Sequence, residues 1–146
     1  MIGHGPHLLR PIEVYKDSPI FYSLGDFILE LYSVPSAPED FYNKYGLTSD
    51  SPVYELLKKR SKNFTRGLME DDRMLRTVVP YWETDNRKLK TLKLLPVSLI
   101  KDRNSPDNGL PRISKDNSYM DELAQMSAPF GVKIKPDDDG NFICEW

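Results

Sequence analysis

The chain opens on Gly3-His4-Gly5-Pro6-His7, and a second informative stretch, Pro19-Ile20-Phe21-Tyr22-Ser23-Leu24-Gly25-Asp26-Phe27, follows shortly after it. His4 and His7 are the only two histidines among the 146 residues. The glycines and the proline around them disfavour a helix, so we expect both rings to sit on a loop. Neutral imidazole is the commonest protein ligand for transition metals, and a loop can direct two rings toward one ion.

Two histidines do not complete a metal site. A catalytic metal usually takes three or more protein ligands. The other donors would be carboxylates such as Asp17 or Asp26, or residues outside this chain. From the spacing alone, two exposed loop histidines or the remnant of a tag explain the pattern equally well.

Outward from this opening, the pattern predicts short elements. Residues 12–15 read as an extended piece, and residues 20–24 are apolar at both parities, which predicts a strand buried on both faces. The apolar character continues over residues 27–32. Gly25 ends the strand with Asp26 directly after it, a place where α/β folds put functional loops. An ordinary turn fits that local pattern as well.

The rest of the chain alternates helices and hairpins. A Ser51-Pro52 pair predicts a helix to about residue 63, and a Ser118-x-x-Asp121 capping box predicts a short helix before Pro129. Hairpins are expected over residues 75–95, turning on residues 84–87, and over residues 132–146, turning on Asp139-Gly140. In the first, the adjacent Leu94 and Leu95 indicate a bulge or burial on both faces. The polar residues 101–116 read as a loop.

Composition favours a single α+β domain built from many short elements. The length is enough to bury a core, and 11% aromatic residues argue against disorder. Twelve prolines along the chain exclude a helical bundle. A net charge of −2 does not indicate nucleic-acid binding. The sequence shows no signal peptide and no apolar run long enough to span a membrane. Cys144, the single cysteine, is expected to be a small buried side chain.

Several familiar chemistries are excluded or disfavoured by their own spacing rules. An EF-hand register on Asp137-Asp138-Asp139-Gly140 would put Trp146 where a bidentate carboxylate is required, so an exposed hairpin turn is expected there. Ser23 lies outside any Gly-x-Ser-x-Gly elbow, and no glycine-rich phosphate loop is present. The cations over residues 58–62 fit a solvated helix end better than a phosphate patch.

The opening stretches resemble the C-terminal signature of CapA-type poly-γ-glutamate capsule synthesis proteins. That family shows a Gly-His-x-Pro-His loop, an Ile-Glu-x-Tyr piece and a Pro-Ile-x-Tyr-Ser-Leu-Gly-Asn-Phe strand and turn. Here the corresponding residues are 3–7, 12–15 and 19–27. The resemblance covers about the first 30 residues, and beyond them it is a matter of general pattern.

The resemblance implies a fold like the calcineurin-type metallophosphatases, in which a late Gly-His-x-His loop supplies ligands to a two-metal site. His4 and His7 would then be metal ligands or catalytic groups, with Asp26 beside the same metal. Two departures are visible: the spacing here is His-x-x-His, and Asp26 stands where the family usually has Asn. The family's upstream strands would precede Gly3, so the chain is expected to be a C-terminal fragment, with residues 1–30 as the active-site-type loop and residues 74–146 as a β-rich tail.

Two functions follow as expectations. The first is a bacterial CapA-like fragment linked to capsular poly-γ-glutamate synthesis or export in the cell envelope. Its complete form would be a metal-dependent, phosphoesterase-like hydrolase acting on polyglutamate or a phosphoester, and the fragment would be inactive alone. The second is a non-catalytic, β-rich interaction module that binds the missing N-terminal portion, a partner or a second copy of itself.

Overall fold

A long hairpin organises the fold seen in a computed structural model, which describes residues 1–29 and 34–146. The strands β3 (Arg76–Asp85) and β4 (Lys88–Leu99) pair antiparallel along almost their whole length. Asn86 and Arg87 form the turn with φ values of 49° and 65°, as a two-residue type I′ turn requires. The predicted hairpin is confirmed; β3 reaches closer to the turn than the sequence indicated, and β4 also takes in residues 96–99.

The leucine pair in β4 is explained by burial on both faces. Leu94 is fully buried and Leu95 is half-buried, with no break in pairing between them. The register shift lies elsewhere, between Glu83 and Thr84, close to the turn. Of the two explanations for the pair, two-sided burial is therefore the correct one.

Three further strands extend the sheet from the other edge of β4. The predicted C-terminal hairpin is confirmed as β6 (Lys133–Pro136) and β7 (Phe142–Glu145), which give the strand order β3-β4-β7-β6. β5 (Pro111–Ile113) pairs with residues 97–99 of β4. Residues 101–116 were predicted as loop throughout, and β5 corrects this, because three residues are too few for an alternation pattern to reveal a strand.

The described residues contain three short α-helices: α1 (Glu39–Lys44), α2 (Val53–Arg60) and α3 (Tyr119–Ser127). Single 3₁₀ turns cover Leu68–Glu70, Asp72–Leu75 and Ala128–Phe130. The helix predicted to reach residue 63 ends at Arg60, since Lys62 and Asn63 take positive φ values. The mixture of sheets and short helices confirms the α+β class.

The capping-box prediction at α3 is wrong. Ser118 has helical backbone angles, and its side chain makes no capping hydrogen bond. Instead its backbone N–H donates to Asp116 Oδ1 at 3.0 Å. This bond to the ionised form holds the pKa of Asp116 below its usual value. The helix start is therefore anchored two residues before the Ser118 that the motif suggested.

The opening residues form a separate two-stranded sheet of β1 (Ile12–Tyr15) and β2 (Ser18–Phe21). The strand predicted over residues 20–24 with both faces buried is corrected. Ladder pairing stops at Phe21, and Tyr22 is 41% exposed. Beyond it the backbone is still paired, because Ser23 O accepts from Arg10 N at 3.0 Å and Leu24 N donates to Gly3 O at 3.1 Å. Residues 30–32 of the predicted apolar run lie outside the described residues.

One apolar core joins this small sheet to the large one. Ile12 and Phe21 from the opening hairpin pack in the same buried cluster as Leu92 of β4 and Leu123 of α3. Cys144 is buried in this cluster as predicted, and burial raises the pKa of its thiol to about 12. The opening loop is therefore carried on the main core. Within the described residues, no helix has the length and apolar character needed to cross a membrane.

Candidate functional site

The two histidines lie on a tight turn at the start of the chain. The N–H of His7 donates to the carbonyl of His4 at 3.0 Å, and His7 takes a left-handed backbone conformation with φ of 58°. The turn is entered through Gly3, where an added Cβ would lie 2.5 Å from the carbonyl oxygen of Tyr22. Only glycine allows the chain to pass this close to residue 22. The glycine-rich sequence thus forms the loop that was predicted.

His4 is oriented by a backbone carbonyl. Its Nδ1 lies 3.0 Å from the carbonyl oxygen of Gly25. A carbonyl oxygen can only accept, so this contact requires the proton of the neutral ring to be on Nδ1. The Nε2 lone pair of His4 is then the one that can bind a metal or accept a proton.

His7 is oriented by a carboxylate. Its Nδ1 lies 2.9 Å from Oδ1 and 3.0 Å from Oδ2 of Asp26. The Asp26 side chain is only 14% exposed, whereas that of His7 is 47% exposed. A carboxylate on Nδ1 fixes the tautomer and the orientation of the ring, as the carboxylate partners of metal-bound histidines do. In this geometry Asp26 contacts His7.

The residues that orient the histidines are fixed by the start of β3. Gly25 has φ of 77°, and an added Cβ would lie 2.8 Å from the carbonyl oxygen of Arg76. Next to it, the hydroxyl of Thr77 donates to the carbonyl of Leu24 at 2.6 Å. Thr77 is itself buried. Gly25, the partner of His4, and the residue before it therefore contact the first residues of the large sheet.

The chemistry of the donors fits part of a metal shell. Within residues 1–29 and 34–146, no group of three or more His, Cys, Asp or Glu side chains is arranged to hold an ion. Asp17, the other carboxylate considered, lies in the turn between β1 and β2 with φ of 58°. The loop thus presents two oriented imidazoles, which is fewer than the three protein ligands of a typical catalytic metal.

Comparison with known proteins separates the opening residues from the remainder. Residues 1–30 match the family model of the bacterial capsule synthesis protein PGA_cap. The PGA biosynthesis protein CapA of Bacillus subtilis is 57% identical over 30 residues, which are 20% of this chain and 8% of that protein. The opening of the chain is therefore similar to the CapA-type proteins. The capsule biosynthesis protein CapA of Bacillus anthracis is 50% identical over 30 residues, 20% of this chain and 7% of its own length.

A longer match extends past the CapA-type segment, residues 1–30. The uncharacterized protein y4sH of Sinorhizobium fredii is 30% identical over 147 residues, which cover 94% of this chain and 32% of that protein. The chain therefore spans about a third of the length of this relative. The likeness to y4sH includes the large sheet, whereas the likeness to the two CapA proteins is confined to the histidine loop and the first hairpin.

Sequence reasoning found the histidines and missed what orients them through the backbone. Gly25 was expected to end a strand, and its carbonyl is the partner of His4. Arg76 and Thr77, which support Gly25 and Leu24, carried no recognisable signal because their contacts join residues about 50 positions apart. Asp26 was singled out as a metal donor, and the structure places it against the ring of His7.

Proposed function

We propose that this chain acts in capsular poly-γ-glutamate biosynthesis or export in the cell envelope, as part of a CapA-like protein. The observation that carries the proposal is the orientation of both imidazoles by residues 25 and 26. All four residues belong to the segment that matches the capsule synthesis family. A segment kept only for packing would not need two exposed histidines with matched Nδ1 partners.

The site supports metal-dependent hydrolysis in a more complete assembly. His4 and His7 would hold a divalent ion through Nε2, with Asp26 positioning His7. Such an ion, when bound, lowers the pKa of water and polarises a phosphoryl or carbonyl oxygen. The residues of this chain would orient the ligands. Where only one of the two imidazoles binds the ion, the other, in its protonated form, would donate a proton to a leaving group.

Alone, the chain is expected to be inactive, because two imidazoles cannot hold an ion in a fixed catalytic geometry. The test is hydrolysis of bis-(p-nitrophenyl) phosphate by the purified chain with added Mn²⁺ or Zn²⁺. We expect no turnover above the metal-only control. Hydrolysis with stoichiometric metal that disappears in His7→Ala would contradict the expectation.

The capsule function is tested by exchanging the shared segment. Residues 1–30 of this chain would replace the matching 30 residues of CapA in Bacillus subtilis, and secreted polyglutamate would be measured. We expect the chimera to support polymer production, and His4→Ala or His7→Ala within it to abolish production. Lys16→Gln, at an exposed position in the turn between β1 and β2, is the matched control. Equal polymer yield from a histidine variant and its parent chimera would overturn the proposal.

A second candidate is a non-catalytic interaction module. Exposed apolar side chains on the opening region favour it, among them Ile2, which is 53% exposed. The rings of Tyr22 and Phe130 also pack with their centroids 5.5 Å apart, and both side chains are over 40% exposed. Apolar surface of this kind marks interaction sites when it is contiguous. Light scattering of the purified chain decides: a concentration-dependent dimer lost in Tyr22→Ser supports the module, and a monomer at all concentrations contradicts self-association.

A further inference from the structure

A groove lined by cations runs along the face of the molecule next to the histidine loop. One depression of about 150 Å³ is lined by Arg10, Arg73 and Arg76, among others. A second, of about 410 Å³, is lined by Arg76, Arg112 and Lys115. The two share Arg76 and Tyr119 and so adjoin. We call these five cationic residues together with Tyr119 the basic groove.

The positive charge of the groove is unexpected for this chain. The protein as a whole carries a net charge of −2, yet five cations line the groove against two carboxylates, Glu122 and Asp116. Clustering cations on one face of an acidic protein costs repulsion, which an anionic ligand would relieve. A lining more basic than the protein as a whole favours an anionic ligand over a cationic one.

Some of the cations are neutralised within the protein, and others are available. Arg73 and Arg112 form short ion pairs with Asp71 and Asp107, at 2.6 and 3.0 Å. By contrast, neither Arg10 nor Lys115 forms a salt bridge with any of the described residues, and both are exposed. The positive charge offered to a ligand is thus sparse and spaced along the groove.

Arg76, which lines both depressions, lies against the buried ring of Tyr119. Its guanidinium lies 5.6 Å from the ring centroid of Tyr119 and 3.9 Å from the carboxylate of Glu122. Tyr119 is fully buried, and its hydroxyl lies 3.2 Å from the carbonyl of Thr77 and 3.1 Å from that of Val97. A guanidinium that is already held by neighbouring groups loses little conformational entropy when it binds a carboxylate. This favours a specific contact at Arg76.

The groove is continuous with the histidine loop. Leu8, Leu9 and Arg10, which line its first part, directly follow His7 in the chain. The carbonyl of Arg76 packs against Gly25, the residue whose own carbonyl orients His4. The first part of the groove therefore adjoins the chain segment that carries the imidazoles.

We propose that the basic groove binds an extended acidic polymer with one carboxylate per repeat, a γ-linked polyglutamate chain, and guides it toward the histidine loop. This inference rests on the proposed function for its choice of polymer. Single carboxylates match isolated Arg and Lys side chains, and Arg binds a carboxylate through two parallel N–H bonds. A denser polyanion such as polyphosphate would bring more negative charge close to Glu122 and Asp116, which also line the groove.

The test is binding of a fluorescein-labelled γ-linked glutamate oligomer to the full chain, measured by fluorescence anisotropy in EDTA. The groove variant combines Arg10→Gln, Arg76→Gln and Lys115→Gln. The control combines Lys44→Gln, Lys62→Gln and Lys88→Gln, exposed residues elsewhere that remove the same charge. We expect the groove variant to weaken binding by about tenfold or more and the control by no more than about twofold. If the triple variant is unstable, the double variant with Arg10→Gln and Lys115→Gln keeps Arg76 in place and should show part of the loss in affinity.

The possible results distinguish binding in the groove from binding to overall charge, and a carboxylate polymer from a phosphate polymer. Equal losses in the groove and control variants would show binding to overall charge and overturn the groove. Tighter binding of polyphosphate than of the glutamate oligomer at the same salt concentration would overturn the carboxylate assignment. Because EDTA removes metal, a failure here leaves the capsule function and the histidine site to be judged by the chimera alone.

Discussion

The histidine loop and the central sheet are held in place by different forces. The loop depends on directional contacts at the surface, such as those from His4 to Gly25 and from His7 to Asp26. The sheet depends on apolar side chains such as Leu92 and Leu94, which are fully buried. An apolar core tolerates exchange of one hydrophobic residue for another, whereas hydrogen-bond geometry does not. The likeness to the CapA proteins covers the region that carries these directional contacts.

The comparison predicts that the largest loss of stability comes from the sheet. Leu92→Ala removes a fully buried side chain from the shared core and is expected to lower the free energy of unfolding by about 3 kcal/mol, as other buried leucines do. Urea denaturation measures this. Ile113→Ala, at a position 70% exposed, is the control and should change stability by less than about 0.5 kcal/mol. Similar losses in both variants would show that the core was assigned wrongly.

A substitution at Ser127, which links the opening hairpin to α3, should give an intermediate loss of stability. Ser127 is fully buried: its hydroxyl donates to Leu123 O at 2.8 Å and accepts from Ile12 N at 3.0 Å. Ser127→Ala leaves the Ile12 N–H unsatisfied and is expected to cost about 1–3 kcal/mol. Urea denaturation with hydrogen exchange at Ile12 checks this, and exchange there should accelerate.

Ser118→Ala is the matched control for Ser127→Ala, and it also tests the capping box that was predicted at the start of α3. Ser118→Ala removes a serine whose side chain makes no capping bond, so it should cost less than about 0.5 kcal/mol. A loss near 1 kcal/mol, the usual value of a serine cap, would restore the capping box that the sequence suggested.

How much of the molecule could be predicted follows the same division. The β3–β4 hairpin was predictable because Asn86 and Arg87 separate two apolar runs, and the last hairpin because of Asp139-Gly140. β5 was not, since its three residues pair with β4 only through tertiary contacts. The histidines were found from their residue type and spacing. Gly25, the partner of His4, acts through its carbonyl, which every residue has, so no sequence signal could reveal it.

The smallest effect is expected at the rim of the sheet. Asp137 accepts from Lys93 Nζ at 2.9 Å and from the backbone N–H of Asn141 at 2.9 Å. The Lys93 ammonium, and then the backbone amides of Asn141 and Asp139, hold the pKa of Asp137 below its usual value. A lowered carboxyl pKa adds stability above the unfolded-state pKa, and this is lost as the pH falls through the folded-state pKa.

Melting temperatures of Asp137→Asn and the unsubstituted chain, measured from neutral pH downward, check this effect. The variant should be slightly less stable at neutral pH, and the gap should close in acid. A gap that widens on acidification would contradict the assignment.

The central claim is that both imidazoles carry their proton on Nδ1 and present Nε2 to a metal. Long-range ¹H–¹⁵N correlation spectra of the chain, recorded above the titration range of histidine, identify the tautomer of each ring. We predict Nδ1–H for His4 and His7, and a shift of both Nε2 resonances on addition of Zn²⁺. Nε2–H tautomers in both rings, or Zn²⁺ shifts confined to Nδ1, would contradict the account.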